Sequence, residues 1–280
     1  MPRLNLTVKS ASFSNMRSWL SSSIVVFLIL AGFGLRLIDL TDPPLDFHPT
    51  RQLHSAIIAR GMFAQMQENW PLTLRWLGAA EWEGVGVTSF DDATRQQAIA
   101  LWHSSPIFEP QIFERLVAMT YCLVGAEVLW LARIYSALFW VLGGLPLFAI
   151  ARRASSFQGG VFALAFYLFL PLAVSASRSF QPDPLMVLLI LCSAYLAYRW
   201  SEEKSWSWAI LTALGAGIAV LVKAPAASQV GLVLVFTTLS AWGIKGAIRS
   251  LKVWLIAVIA IAIPASYYLV LRGGGSSGYL

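Results

Sequence analysis

The chain has 280 residues, of which 58% are hydrophobic and only 12% charged, with a mean hydropathy of +0.67. That composition excludes an ordinary soluble enzyme and describes a polytopic membrane protein built as one bilayer-embedded domain. The net charge of +6 gives no support to nucleic-acid binding, because the basic residues fall in short segments between apolar runs, where they orient helices.

The first apolar run covers residues 19–38, behind Arg3, Lys9 and Arg17, and about 20 residues suffice to cross a bilayer. No small-residue cleavage pattern follows, so the sequence predicts an uncleaved first helix with its N-terminus in the cytoplasm. Residues 39–126 then hold no lysine but ten carboxylates: Asp39, Asp42, Asp46, Glu68, Glu81, Glu83, Asp91, Asp92, Glu109 and Glu114. This segment lacks Gly/Ser runs and is not linker-like. Within it, residues 50–66 place Leu53, Ile57, Ile58, Met62 and Met66 at helical spacing, interleaved with Arg51, His54 and Arg60. The pattern predicts an interfacial helix with one wet face, and residues 112–124 repeat it after Pro110. Trp70, Trp76, Trp82 and Trp102 are spaced as an interfacial belt.

Six further apolar runs, at 127–150, 158–175, 184–199, 206–222, 226–243 and 253–271, bring the expected spans to about seven. Some of these lie near the lower limit of roughly 17 residues. Arg152 with Arg153, Arg199 with Lys204, and Lys245, Arg249 and Lys252 fall in alternate connections, as cytoplasmic loops should. The outward segments are then 39–126, 176–183, 223–225 and the tail from Arg272. The expected fold is therefore all-α, about seven transmembrane helices with a large extracytoplasmic first loop, in a single module over 1–280. No repeat of fixed period is visible, which argues against a repeat-built transporter. Cys122 and Cys192 sit in apolar stretches without paired spacing and read as small core residues.

Four polar positions invite chemistry, each with a plain structural alternative. Asp46, His48 and Arg51 crowd into Asp-Pro-Pro-Leu-Asp-Phe-His-Pro-Thr-Arg-Gln just past the first span. The carboxylate held there has the makings of a general base, or else the residues are turn formers with Thr50 capping the next helix. Asp183, in Gln-Pro-Asp-Pro-Leu, reads equally as an N-cap before a proline at the first helical position. Arg178, on the same outward segment, suits a lipid headgroup or a ligand phosphate. Lys223, the single lysine on the outward side, suits a helix C-terminus that snorkels to the interface, and Glu109 before Pro110 suits a helix dipole. Yet Asp46, Glu109, Asp183 and Lys223 come from four segments that the topology places on one membrane face. Ionisable groups near a bilayer cost roughly 2.5 to 3.5 kcal/mol each at a helix centre and less toward the interface, so their convergence implies a wet polar cavity. A lysine among carboxylates suits a departing phosphate and a deprotonated nucleophile.

Four stretches resemble the membrane glycosyltransferases of the C-type fold, which include the protein O-mannosyltransferases and the lipid A aminoarabinose transferases. They are Phe-His-Pro-Thr-Arg-Gln through Ala-Arg-Gly-Met at 47–62, Phe-Glu-Pro-Gln-Ile-Phe at 108–113 with Leu-Trp-Leu-Ala-Arg at 129–133, Pro-Asp-Pro-Leu at 182–185, and Val-Lys-Ala-Pro at 222–225. The resemblance covers essentially the whole chain. It implies Asp46 as base, Glu109 and Asp183 as cavity carboxylates, Lys223 as the donor-phosphate ligand, and Arg51 and Arg178 as further phosphate ligands. In the aminoarabinose branch the aspartate directly precedes Glu-Thr-Arg, a slot that His48 fills here, which leaves the base open between Asp46 and His48. Ala224 replaces the usual glycine. Relatives of this kind continue through further helices, so the chain resembles the catalytic N-terminal portion of a longer protein.

The resemblance implies transfer of one sugar, with inversion, from a polyprenyl-phosphate-linked donor to a protein, lipid or glycan acceptor. The expected setting is a bacterial or archaeal plasma membrane, amid membrane lipids, with the active site on the extracytoplasmic face and no nucleic-acid partner. The sequence marks no definite cofactor and leaves metal dependence open: three carboxylates and a histidine have donor atoms for a divalent metal ion, without the spacing of a fixed ligand motif. Rival readings are a flippase-like carrier of a lipid-linked anion, which predicts interrupted helices and sites near the bilayer midplane, and a non-catalytic fragment.

Overall fold

The computed structural model describes residues 7–106 and 109–271. The tail from Arg272 and the N-terminal Arg3 lie outside the described residues. Helix α1 (Thr7–Arg36) leads into a loop, followed by α2 (Pro49–Met66), α3 (Asp92–Ser104) and α4 (Ile112–Val124). After these come α5 (Leu129–Ala154), α6 (Phe157–Phe169), α7 (Pro171–Ala176), α8 (Asp183–Glu203), α9 (Trp206–Val222), α10 (Ala226–Arg249) and α11 (Leu251–Ala265). Among the described residues extended pairing is limited to one isolated antiparallel bridge, Val85 with Val128. The protein is an all-α polytopic membrane protein.

Four helices have the length and apolarity of spans: α5, α8, α10 and α11 with its continuation to Leu269. Shorter apolar helices occupy 22–36, 157–169 and 206–222. The third expected span, 158–175, is not one helix. It breaks at Leu170, which is extended (φ −61°, ψ 127°), because Pro171 disfavours helical backbone in the residue before it. In α10 the helical path is interrupted at Gly243 (φ 63°), a left-handed conformation that glycine adopts without a Cβ clash; the apolar run read from the sequence ends at that residue.

Small residues let the membrane helices approach. On α9, Ala209, Ala213, Ala216 and Ala219 are fully buried, and a Cβ on Gly217 would lie 2.7 Å from Ile263 of α11. With lipid tails as apolar as leucine, this close backbone packing is what holds such helices together.

The segment between α1 and α5 folds on a core built around Phe63, Phe113, Val117 and Tyr121, to which Ala132 of α5 and Phe180 before α8 also contribute. The expected wet and dry faces of α2 are redistributed. Ile58 and Met62 are buried, but Leu53 and Ile57 are exposed, and Gln52 and Ser55 take buried places instead. These two polar side chains have internal partners: Gln52 accepts from Phe180 N at 2.8 Å, and Ser55 donates to Glu114 at 2.7 Å. A buried polar group with a partner costs little, and without one it costs several kcal/mol. Trp102 is also no belt residue. It is 5% exposed and packs where a Cβ on Gly61 would fall 2.4 Å from its own Cβ, whereas Trp76 does face outward.

Two buried guanidinium groups act as clasps, Arg36 between α1 and the α6–α7 region and Arg133 between the bundle and the loop after α1. Arg36, at the end of α1, donates to Ser177 Oγ (2.6 Å), Gly32 O (2.6 Å) and Leu168 O (3.0 Å). Arg133 of α5 donates to Asp39 O (3.2 Å), Leu40 O (3.0 Å), Asp42 O (2.7 Å), Arg178 O (3.0 Å) and Asp46 Oδ2 (3.2 Å). A guanidinium offers five donors in a fixed fork, which suits it to gathering several carbonyls at a loop.

Candidate functional site

Three chain segments meet at Lys223. It is the C-cap of α9, in extended backbone, with Pro225 immediately before α10. Its Nζ donates to Asp183 Oδ2 at 2.6 Å and lies 3.6 Å from Glu109 Oε1. Asp183 is the first residue of α8, and the N-cap is Pro182. The alternative in which Asp183 caps its own helix therefore gives way to an ion pair across the bundle. Glu109 reaches the lysine from the segment preceding α4, whose N-cap is Gln111. Burial raises the Glu109 carboxyl above its ordinary range; Lys223 pulls it back and the neighbouring Asp183 charge adds to the rise.

These groups border a cavity of about 500 Å³, lined also by Thr50, Arg51, His54 and Ser55 of α2 and by Gln111, Glu114 and Gln181. That volume falls within the range of small-molecule sites. Glu114 was legible as an acidic residue of an amphipathic helix, but no sequence signal marked it as functional. In the fold it is 5% exposed, and burial pushes its carboxyl up to about 7 against the opposing Ser55 hydrogen bond. A carboxylate that titrates near neutrality in a cavity is a candidate for proton handling.

Of the expected site residues, Glu109, Asp183, Lys223 and Arg51 converge on this cavity, whereas Asp46, His48 and Arg178 are not among its lining residues. Asp46 accepts from Gln52 at 3.3 Å and from Arg133 at 3.2 Å. His48 is the N-cap of α2 in left-handed backbone (φ 49°), a place the sequence suggested for Thr50. Arg178 donates to the carbonyls of Ile38 and Asp39, tying down the exit of α1. Among the described residues no group of three or more His, Cys, Asp or Glu side chains is arranged to hold a metal ion. The cation facing Asp183 and Glu109 is the lysine.

Helix ends thus bring one ammonium and three carboxylates, Asp183, Glu109 and Glu114, to a single cavity, a lining with the chemistry to hold a charged small molecule. The family model for dolichyl-phosphate-mannose-protein mannosyltransferases matches residues 109–268. The match covers more than half of the chain, from Glu109 through Asp183 and Lys223, and the chain belongs to this family. It is accordingly an integral membrane glycosyltransferase of the mannosyltransferase type. No curated protein and no solved structure matches the chain.

Proposed function

We propose that the chain transfers a sugar from a polyprenyl-phosphate donor to an acceptor hydroxyl at the extracytoplasmic face, with Lys223 receiving the donor phosphate. The observation that carries this reading is the Lys223 ammonium held between Asp183 at 2.6 Å and Glu109 at 3.6 Å in an open cavity. The acceptor oxygen attacks the anomeric carbon, and the carbon–oxygen bond to phosphate breaks with its electron pair left on phosphate. One direct displacement inverts the anomeric centre. The acceptor's proton passes to a carboxylate, and Lys223 neutralises the charge that develops on the leaving group, where a preorganised cation acts most strongly.

Glu109 is the preferred proton acceptor, because it borders the cavity and burial has raised its basicity. Asp183 keeps the ammonium oriented. Asp46, the base that the family resemblance implied, has both oxygens engaged by Arg133 and Gln52, which favours a part in fixing the first loop. Arg51 borders the same cavity as a second cation for the phosphate. The polar groups sit at helix ends, at the first residue of α8 and just beyond α9, an arrangement that favours an interfacial enzyme over a midplane carrier.

The test is transfer of label from radiolabelled mannosyl polyprenyl phosphate in membranes carrying the chain, beside Lys223→Ala, Glu109→Gln and Asp46→Asn. Label on an acceptor, with release of polyprenyl phosphate that depends on Lys223, supports the proposal. Unchanged turnover in Lys223→Ala overturns it, and a loss in Asp46→Asn equal to that in Glu109→Gln returns the base to Asp46.

A further inference from the structure

Two buried amide atoms at the cavity lining, one on each of two glutamines, have no internal partner. Gln181 is 2% exposed and its Oε1 accepts nothing; Gln111 leaves its Nε2 without an acceptor. Both residues border the cavity. The orientation of Gln111 is fixed by chemistry. Its Oε1 accepts from Trp102 Nε1 at 2.9 Å, and an indole nitrogen is only a donor, so the amide must turn its NH₂ away from Trp102. Unpaired buried polar atoms cost on the order of 1–3 kcal/mol each and are rare in native folds unless a ligand or water completes them.

A third polar element lines the same cavity. Ser55 donates to Glu114 at 2.7 Å, and both border the cavity. Burial raises the Glu114 carboxyl to about 7, which keeps a proton available for a hydrogen bond near neutral pH. The cavity lining thus combines charged groups, Lys223, Asp183, Glu109 and Arg51, with a free amide donor, a free amide acceptor and a carboxyl–hydroxyl pair. Adjacent hydroxyls on a sugar ring each donate and accept, and match such an alternation of partners.

We infer that Gln111, Gln181 and the Ser55–Glu114 pair form the subsite that grips the hydroxyl groups of the transferred sugar, in the same cavity as Lys223, which takes its phosphate. This assignment rests on the donor reading proposed above and adds the residues that distinguish a sugar-bearing lipid from a bare one. A site whose buried amides stay unpaired without the correct ligand rejects an analogue lacking those hydroxyls.

The experiment compares two probes, a polyprenyl monophosphate and the same lipid bearing mannose, binding to the 280-residue chain in lipid nanodiscs. The wild type is expected to bind the mannosyl lipid more tightly. Gln111→Leu and Gln181→Leu should each weaken that probe about tenfold, the loss of roughly one neutral hydrogen bond, with the bare lipid bound as before. Gln181→Asn, which keeps an amide but shortens its reach, should fall between. The unchanged bare-lipid affinity serves as the check on folding, and Lys223→Ala should weaken both probes. If the glutamine variants keep the full preference for the mannosyl lipid, or lose both probes in parallel, the subsite is wrong while a Lys223 effect leaves the donor reading intact. If Lys223→Ala binds both probes like the wild type, the donor reading itself fails.

Discussion

Arg133 and Lys223 are both cations withdrawn from water, and they are used in opposite ways. Arg133, 1% exposed, spends its donors on four backbone carbonyls and one carboxylate, and Arg36 does the same at the end of α1 with two carbonyls and a hydroxyl. Lys223, by contrast, meets two side-chain carboxylates at the edge of a cavity that holds unpaired amide atoms. A cation saturated by main-chain carbonyls holds architecture. One balanced between carboxylates beside open space is free to exchange a partner for a ligand.

The largest expected effect tests the architectural side. Arg133→Leu removes the side-chain donor of the Leu40 and Asp42 carbonyls and the partner of Asp46 and should cost about 3–5 kcal/mol of stability, read as a large fall in unfolding temperature in detergent. Near-wild-type melting would show that the clasp is ornamental. On the functional side, Lys223→Ala should cut transfer by about a hundredfold to a thousandfold with melting little changed, so a stability loss matching that of Arg133→Leu would erase the contrast.

The third prediction concerns pH. The folded pKa of Glu114, about 7, lies above its ordinary value of 4.5, so the folded state holds this proton longer than the unfolded chain does. Its stabilisation is complete below the ordinary value and is lost as pH rises through about 7, by at most about 3 kcal/mol. Melting measured from pH 5 to pH 8 should fall in the wild type and fall less in Glu114→Gln; parallel curves would refute the assignment. Glu109→Gln should lower turnover by about tenfold to a hundredfold and flatten the rate's rise with pH, while a bound-donor affinity reduced by the same factor would instead mark Glu109 as a binding group. The smallest effect is the exposed control. Arg153 and Glu202 pair at 3.1 Å with side chains 42% and 39% exposed, and Arg153→Ala should change stability by less than about 0.5 kcal/mol.

Much of the candidate site was legible because charge is conspicuous in an apolar chain. Lys223, Asp183 and Glu109 stood out by topology, and the ion pairs among them follow from their sharing one face. What escaped was the neutral and buried part. Glu114 looked like one acid among ten, Gln111 and Gln181 carried no pattern, and Arg133 was visible only as the end of a motif whose partners lie about ninety residues earlier. The wet-face reading of α2 failed for the same reason, since Gln52 and Ser55 are buried by partners on other elements.

By itself, then, the sequence determined the membrane class, the apolar runs and the alternation of basic loops, because hydrophobic length and charge bias act locally and leave a periodic trace in the chain. Only the tertiary structure decided that Asp183 pairs with Lys223 and does not cap its helix, that Asp46 is held by Arg133, and that Gln111, Gln181 and Glu114 line one cavity. Those outcomes depend on which polar groups meet across helices, and a hydrogen bond between distant positions is set by packing geometry that no single segment encodes.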